Sequence, residues 1–125
     1  MLKPGIQHQE TLIVTDQHTA KTVQSGGLEV LSTPMLIALM EKTAWKSVIH
    51  FMENGYDSVG FFIEMSHLKP TLLNKQITAK STLVSINKKE LLFQIEAFEE
   101  NKQIAFATHK RAIIQIDSFM EKASS

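Results

Sequence analysis

The 125-residue chain has no cysteine. Disulfides, thiolate nucleophiles and cysteine-based metal sites are therefore excluded. Nowhere do about 18 apolar residues run together, so no segment is expected to cross a membrane. Neither sign of charge is in excess, with 13 Lys+Arg against 13 Asp+Glu. The longest basic run, Lys88-Lys89, reads as a solvated turn, so neither nucleic acid nor an anionic membrane is an expected partner. The start, MLKPGIQHQE, has no apolar signal core and is not Arg-rich, which makes a cytoplasmic location the expectation. No linker, repeat or low-complexity stretch divides the chain, so residues 1–125 are read as one domain. At 43% hydrophobic and 21% charged it is globular in composition. A chain this short buries a modest core, and a dimer would enlarge it.

The pattern of apolar residues gives the elements. Gln7 to Val14 reads as a strand. Thr15 to Gln24 is polar and ambiguous between a short helix and a loop, and Ser25-Gly26-Gly27 marks a break. A long helix follows. Thr33 is read as its N-cap with Pro34 at the first helical position, and Gly55 as its stop near Asn54. Leu36, Leu39, Met40, Thr43 and Ser47 share one face; Ile37, Glu41, Ala44 and Val48 share a second; Lys42, Lys46, Ile49 and Glu53 make the polar side. A helix apolar on two sides is expected to be wrapped by a sheet. Beyond it the period changes to two. Val59 to Leu68, Gln76 to Ile86, Leu91 to Phe98 and Gln103 to Ile116 read as strands, with turns at Asn87–Glu90 and Glu100-Asn101. Asp117 is a candidate cap for a short terminal helix. One strand, a long helix and a four-strand meander make an α+β chain.

Few residues in this frame suggest chemistry. Glu41 lies on an apolar side of the helix rather than among the lysines. A carboxylate against an enclosed apolar wall holds its proton more tightly, which suits a general base; the bland alternative is an exposed helical glutamate. Thr33 stands at the positive end of the helix, where a hydroxyl can orient a carbonyl or water, or attack if a base is near; it is also fully explained as a cap. Eight residues separate the two, about 12 Å of helical rise. A site using both must span that length or combine two subunits. The five histidines, His8, His18, His50, His67 and His109, show no compact metal spacing. His67 ends an apolar strand at a loop, where side chains meet substrates, although a structural role fits it as well. Gly60 interrupts a strand, as a bulge or where backbone approaches a ligand. Arg111 offers a fork of donors for a phosphate or pantetheine-type ligand, or is a solvated strand charge.

Taken in order, LKPG (Leu2–Gly5), STPMLIALME (Ser32–Glu41), VG (Val59-Gly60), SHLKPT (Ser66–Thr71) and THKRA (Thr108–Ala112) resemble the hotdog-fold thioesterases, and within them the fluoroacetyl-CoA thioesterase-like group. The resemblance covers nearly the whole chain. It implies a hotdog fold, a long central helix wrapped by a five-stranded antiparallel sheet. It also implies a homodimer, or a higher oligomer built on one, joined edge to edge with acyl-CoA cleaved at the interface and no metal or cofactor. Thr33 would be the site hydroxyl, as nucleophile or water-positioner, Glu41 the acid/base carboxylate, and His67 the proton-transfer partner that stabilises the departing thiolate. Gly60 would lend backbone contact near the thioester carbonyl and Arg111 would hold the ligand. The group's aromatic residues upstream of the Thr-Pro pair are replaced here by KTVQSGGLEVL (Lys21–Leu31). A short or medium acyl group other than fluoroacetyl is therefore expected. A non-catalytic acyl-CoA-binding protein and an enoyl-thioester hydratase are the alternatives; the second is disfavoured by a helix without aspartate.

Overall fold

The computed structural model describes residues 1–125. Strand β1 (Gln7–Ile13) leads through a single 3₁₀ turn and a short helix α1 (Ala20–Val23) to the long helix α2 (Thr33–Ile49). Strands β2 (Tyr56–His67), β3 (Gln76–Asn87), β4 (Glu90–Glu99) and β5 (Lys102–Gln115) follow, then helix α3 (Ile116–Ala123). All pairings are antiparallel and the strand order is β1-β3-β4-β5-β2. Only β3, β4 and β5 form a meander. Contrary to the four-strand meander expected, β2 pairs with β5, and the chain crosses the sheet to begin β3. This leaves β1 and β2 as the two edges.

The helix α2 lies in the hollow of this sheet. Its buried stripe is Leu36, Leu39, Met40, Thr43, Ala44, Ser47 and Val48. It meets the inward residues Ile77, Ala79 and Leu83 of β3 and Leu91, Phe93, Ile95 and Ala97 of β4, all part of one core. Each large side chain fully buried there contributes about 2 kcal/mol. The two hydroxyls in the stripe are satisfied locally, Thr43 donating to the Leu39 carbonyl at 2.7 Å and Ser47 to that of Ala44 at 2.6 Å.

Both ends of α2 differ from the sequence reading. Ser32, not Thr33, is the N-cap, its hydroxyl accepting from the Met35 amide at 3.3 Å. Pro34 then sits second in the helix, where the N–H is an orphan too. The exchange releases the Thr33 hydroxyl from capping. At the other end the helix stops at Ile49, and Gly55 (φ 89°) turns the chain into β2 six residues later. Likewise Gln115 caps α3, accepting from Ser118, while Asp117 lies in the first turn.

Residues 20–31 form a flap pinned along two sides. Ala20 donates to Val30, Leu31 to Thr71, and Ser32 to His18, at 2.8–2.9 Å. The flap thereby stands against the segment that follows β2, at the N-terminal end of α2.

Candidate active site

Two clusters of polar side chains emerge, one at each end of the inward face of β2. At the first, freed from capping, the Thr33 hydroxyl lies 2.8 Å from His67 Nδ1. Thr33 is exposed on the first turn of α2 and His67 is half-buried as the last residue of β2. Burial pushes the imidazole below its ordinary pKa, and the nearby Lys69 backbone offsets only part of this. Near neutral pH the ring is therefore uncharged. In the Nε2–H tautomer its Nδ1 accepts the threonine O–H, which is the contact a hydroxyl and its base require. The other ring nitrogen is shut off from solvent and has no partner within the chain. Beside this pair opens a cleft of about 330 Å³ walled by Val30 and Leu31 of the flap and by Leu68 and Pro70.

The second cluster surrounds Gly60. Strand β2 carries a bulge here: Gly60 pairs with Arg111 and Phe62 with Lys110, leaving Phe61 as the extra residue. A methyl group at Gly60 would meet three side chains at once, Glu41 Oε2 at 2.8 Å, His109 Cε1 at 3.0 Å and Arg111 Nη1 at 3.3 Å. Glycine is required because the carboxylate, the imidazole and the guanidinium converge on that point. Arg111 is only 6% exposed, so the solvated strand charge is ruled out. Its Nε donates to Ser58 Oγ at 2.8 Å and its Nη2 to the Ser58 carbonyl at 2.9 Å. Those donors hold the protein rather than opening toward solvent. Burial lowers the guanidinium's proton affinity, and the Glu41 and Asp57 carboxylates restore part of it. His109, 1% exposed, donates from Nδ1 to the Phe62 carbonyl at 2.8 Å. Burial also holds this imidazole below its ordinary range.

Of the five residues singled out in the sequence, the chain brings Thr33 to His67, and Glu41 to Gly60 and Arg111. It does not join the two groups. Six residues of extended strand lie between Gly60 and His67, seven steps that span roughly 23 Å. His109 and Ser58 escaped the sequence reading. The signal for His109 was available: it continues the inward alternation Ala105, Ala107, His109, Arg111.

The family model for fluoroacetyl-CoA-specific thioesterase matches residues 14–117. The chain belongs to that family. A curated relative, the fluoroacetyl-CoA thioesterase of Streptantibioticus cattleyicolor, is 28% identical over 94 residues, covering 75% of this chain and 68% of the relative. A solved fluoroacetyl-CoA thioesterase superposes with a TM-score of 0.93 at 22% identity, covering 99% of this chain and 96% of that one. A hot-dog-like protein from Thermanaerovibrio acidaminovorans gives 0.90 at 19% identity, covering 98% and 90%. At such identities the structural likeness establishes the hotdog fold. The Lys21–Leu31 segment lies in the flap, and its Val30 and Leu31 wall the cleft.

Proposed function

We propose that this chain is an acyl-CoA thioesterase that hydrolyses a short or medium acyl-CoA to the free acid and CoA, working as a homodimer. The observation that carries this reading is the 2.8 Å contact between Thr33 and a neutral His67 at the mouth of an apolar cleft. In the proposed reaction, the Thr33 oxygen or a water that it orients adds to the thioester carbonyl while His67 takes the proton. The tetrahedral oxyanion forms near the backbone at Gly60 and the amides of the α2 N-terminus. Its collapse breaks the C–S bond, and the thiolate leaves with the proton that His67 returns; where Thr33 itself has attacked, a water then adds to the acyl-threonine ester, giving its proton to His67, which returns it to the Thr33 oxygen as the free acid leaves. Glu41 supplies the carboxylate that completes acid/base transfer.

A dimer resolves the separation of the two clusters. β2 is a 12-residue edge strand with Phe61 53% and Phe62 41% exposed, and a long apolar edge is a template for pairing. Inward-facing residues must pair with inward-facing residues. Antiparallel pairing centred on Glu64 sets Ile63 opposite Met65 of the partner subunit and Phe62 opposite Ser66 of the partner subunit. The extra residue in the bulge then lets Gly60 fall opposite His67 of the partner subunit, both facing inward. Each site would combine Thr33 and His67 of one subunit with Glu41, Gly60 and Arg111 of the other. Aliphatic walls in place of aromatic ones favour an ordinary acyl chain over fluoroacetyl.

A panel of acyl-CoAs assayed by free-thiol release, with Glu41→Gln beside the wild type, tests the reading. Thiol release by the wild type and its loss in the variant are expected. Saturable CoA-ester binding with no thiol from any substrate would replace it with a binding role.

A further inference from the structure

The mechanism leaves one buried titratable group unused. His109 lies wholly inside the protein, at the point where three features meet: the Phe61 bulge, the Arg111 guanidinium and the Gly60 locus that Glu41 approaches. We propose that His109 is a positioning residue for the Glu41 half of the site, fixing the bulge and Arg111 and through them the carboxylate. The inference rests on the thioesterase reading above and deepens it.

The hydrogen bonds leave one assignment. The Phe62 carbonyl can only accept, so the 2.8 Å contact places a proton on His109 Nδ1. In a neutral ring Nε2 then carries a lone pair, and Arg111 Nη1 lies 3.3 Å away to donate to it. A charged ring would aim N–H at N–H. One imidazole thus ties the carbonyl of Phe62, the residue after the extra one in the bulge, to a buried cation. The guanidinium is gripped on its other side by Ser58, two residues before Gly60 on β2. Ser58 is steadied by Asp57, whose Oδ1 accepts from the Ser58 amide at 2.7 Å and from Trp45 Nε1 of α2 at 2.8 Å. Phe93 of β4 backs the imidazole, ring centroids 6.1 Å apart. The charged or titratable groups facing this cluster are therefore Glu41 from α2, Asp57 from β2, and His109 and Arg111 from β5; β4 presents only Phe93.

A core histidine that merely filled space would need neither the bulge nor the cation. The two contacts can be separated. His109→Asn keeps a donor where Nδ1 stands but cannot reach Arg111. His109→Gln reaches toward Arg111 but gives up the Phe62 carbonyl. His109→Phe keeps the volume and loses both. On acyl-CoA hydrolysis, kcat should fall about tenfold in the Asn and Gln variants and about 100-fold in the Phe variant, with KM little changed. Wild-type kcat in the folded variants, with only thermal stability reduced, would overturn the proposal. A readout on the wild type needs no variant. Its ¹⁵N-histidine spectrum should show His109 neutral with the proton on Nδ1 at pH 6.5, where an ordinary imidazole is half charged. A charged ring or the opposite tautomer overturns it equally. Glu41→Gln in the same assay separates the two levels. If that variant keeps full activity, the underlying site reading fails; if it is inactive while the His109 variants are normal, only this inference fails.

Discussion

The two ends of β2 are built in opposite ways. At His67 the strand runs out beside an exposed threonine, a flap and a cleft, so the chemistry there is open to a ligand. At Gly60 the same strand bulges over a sealed set of polar groups, His109, Arg111 and Ser58, whose hydrogen bonds run within the protein, with Glu41 half-buried beside them. An open nucleophilic end tolerates motion; a sealed charged end does not, since a buried guanidinium without its partners costs several kcal/mol. On the proposed reading the contrast means that neither end is a site alone. One has a hydroxyl and an imidazole without a carboxylate, and the other has a carboxylate without a reacting group.

The largest effect expected is on the sealed end. Glu41→Gln keeps shape and removes charge, and turnover should fall at least about 100-fold, the lower bound for losing an acid/base group. Circular dichroism of the variant should remain native.

Mixing subunits sharpens the comparison further. Thr33→Ala and Glu41→Gln proteins should each be inactive, yet refolded together they should recover about a quarter of wild-type activity. Half the dimers are then mixed, and each mixed dimer has one intact composite site. No recovery from a mixture shown to exchange subunits would place the whole site in one chain and undo the dimer reading.

Next in size is Gly60→Ala. The added methyl would press the free end of Glu41 at 2.8 Å and the His109 ring at 3.0 Å. The carboxylate is the mobile neighbour and should yield, lowering kcat about tenfold for about 1–3 kcal/mol of stability. A smaller perturbation probes the seam itself. Since the chain has no cysteine, Glu64→Cys introduces a single thiol. Residues directly opposite in an antiparallel pair stand about 4.5–5.5 Å apart at Cα, within disulfide reach. Mild oxidation should give a covalent dimer on a non-reducing gel, whereas Glu90→Cys on the inner strand β4 should not.

How much of this was legible in the sequence follows the range of each interaction. The helix faces, the strands and the hairpin at Lys88 were local patterns and emerged as read. The placement of β2 beside β5 was not local: both neighbours of β3 suit an alternating strand, and only the crossover over α2 decides. Ser32 and Thr33 are equally good caps by residue type, so the choice that frees Thr33 depends on tertiary burial of Ser32. Arg111 reads from sequence as a ligand-holding fork or a solvated charge, although its alternation with Ala105 and Ala107 points inward. Its partner His109 was obscured in the same way. What joins Thr33 to His67 across 34 positions could be named only through the order of motifs, because no spacing rule links a helix start to a strand end.

The smallest expected effect concerns pH, and it separates the two histidines' surroundings. Both imidazoles are held below their ordinary value of 6.5 in the folded chain, chiefly by burial. The unfolded chain therefore binds more protons once pH falls below about 6.5, so stability is flat above that value and declines beneath it, levelling off only below the depressed folded values. Each such group contributes at most about 1.4 kcal/mol per pH unit. His109 is sealed, and the guanidinium beside it opposes protonation as well. His67 is half-open at the cleft, where a partner subunit or ligand changes its surroundings. Thermal unfolding between pH 7.5 and 5.5 should show a decline that His109→Asn flattens in monomer and dimer alike. His67→Asn should flatten it by an amount that depends on protein concentration, because in the proposed dimer the partner's strand covers a half-exposed His67 but has nothing further to bury at His109. Equal, concentration-independent effects of the two substitutions would mean that both ends of β2 are finished within one chain.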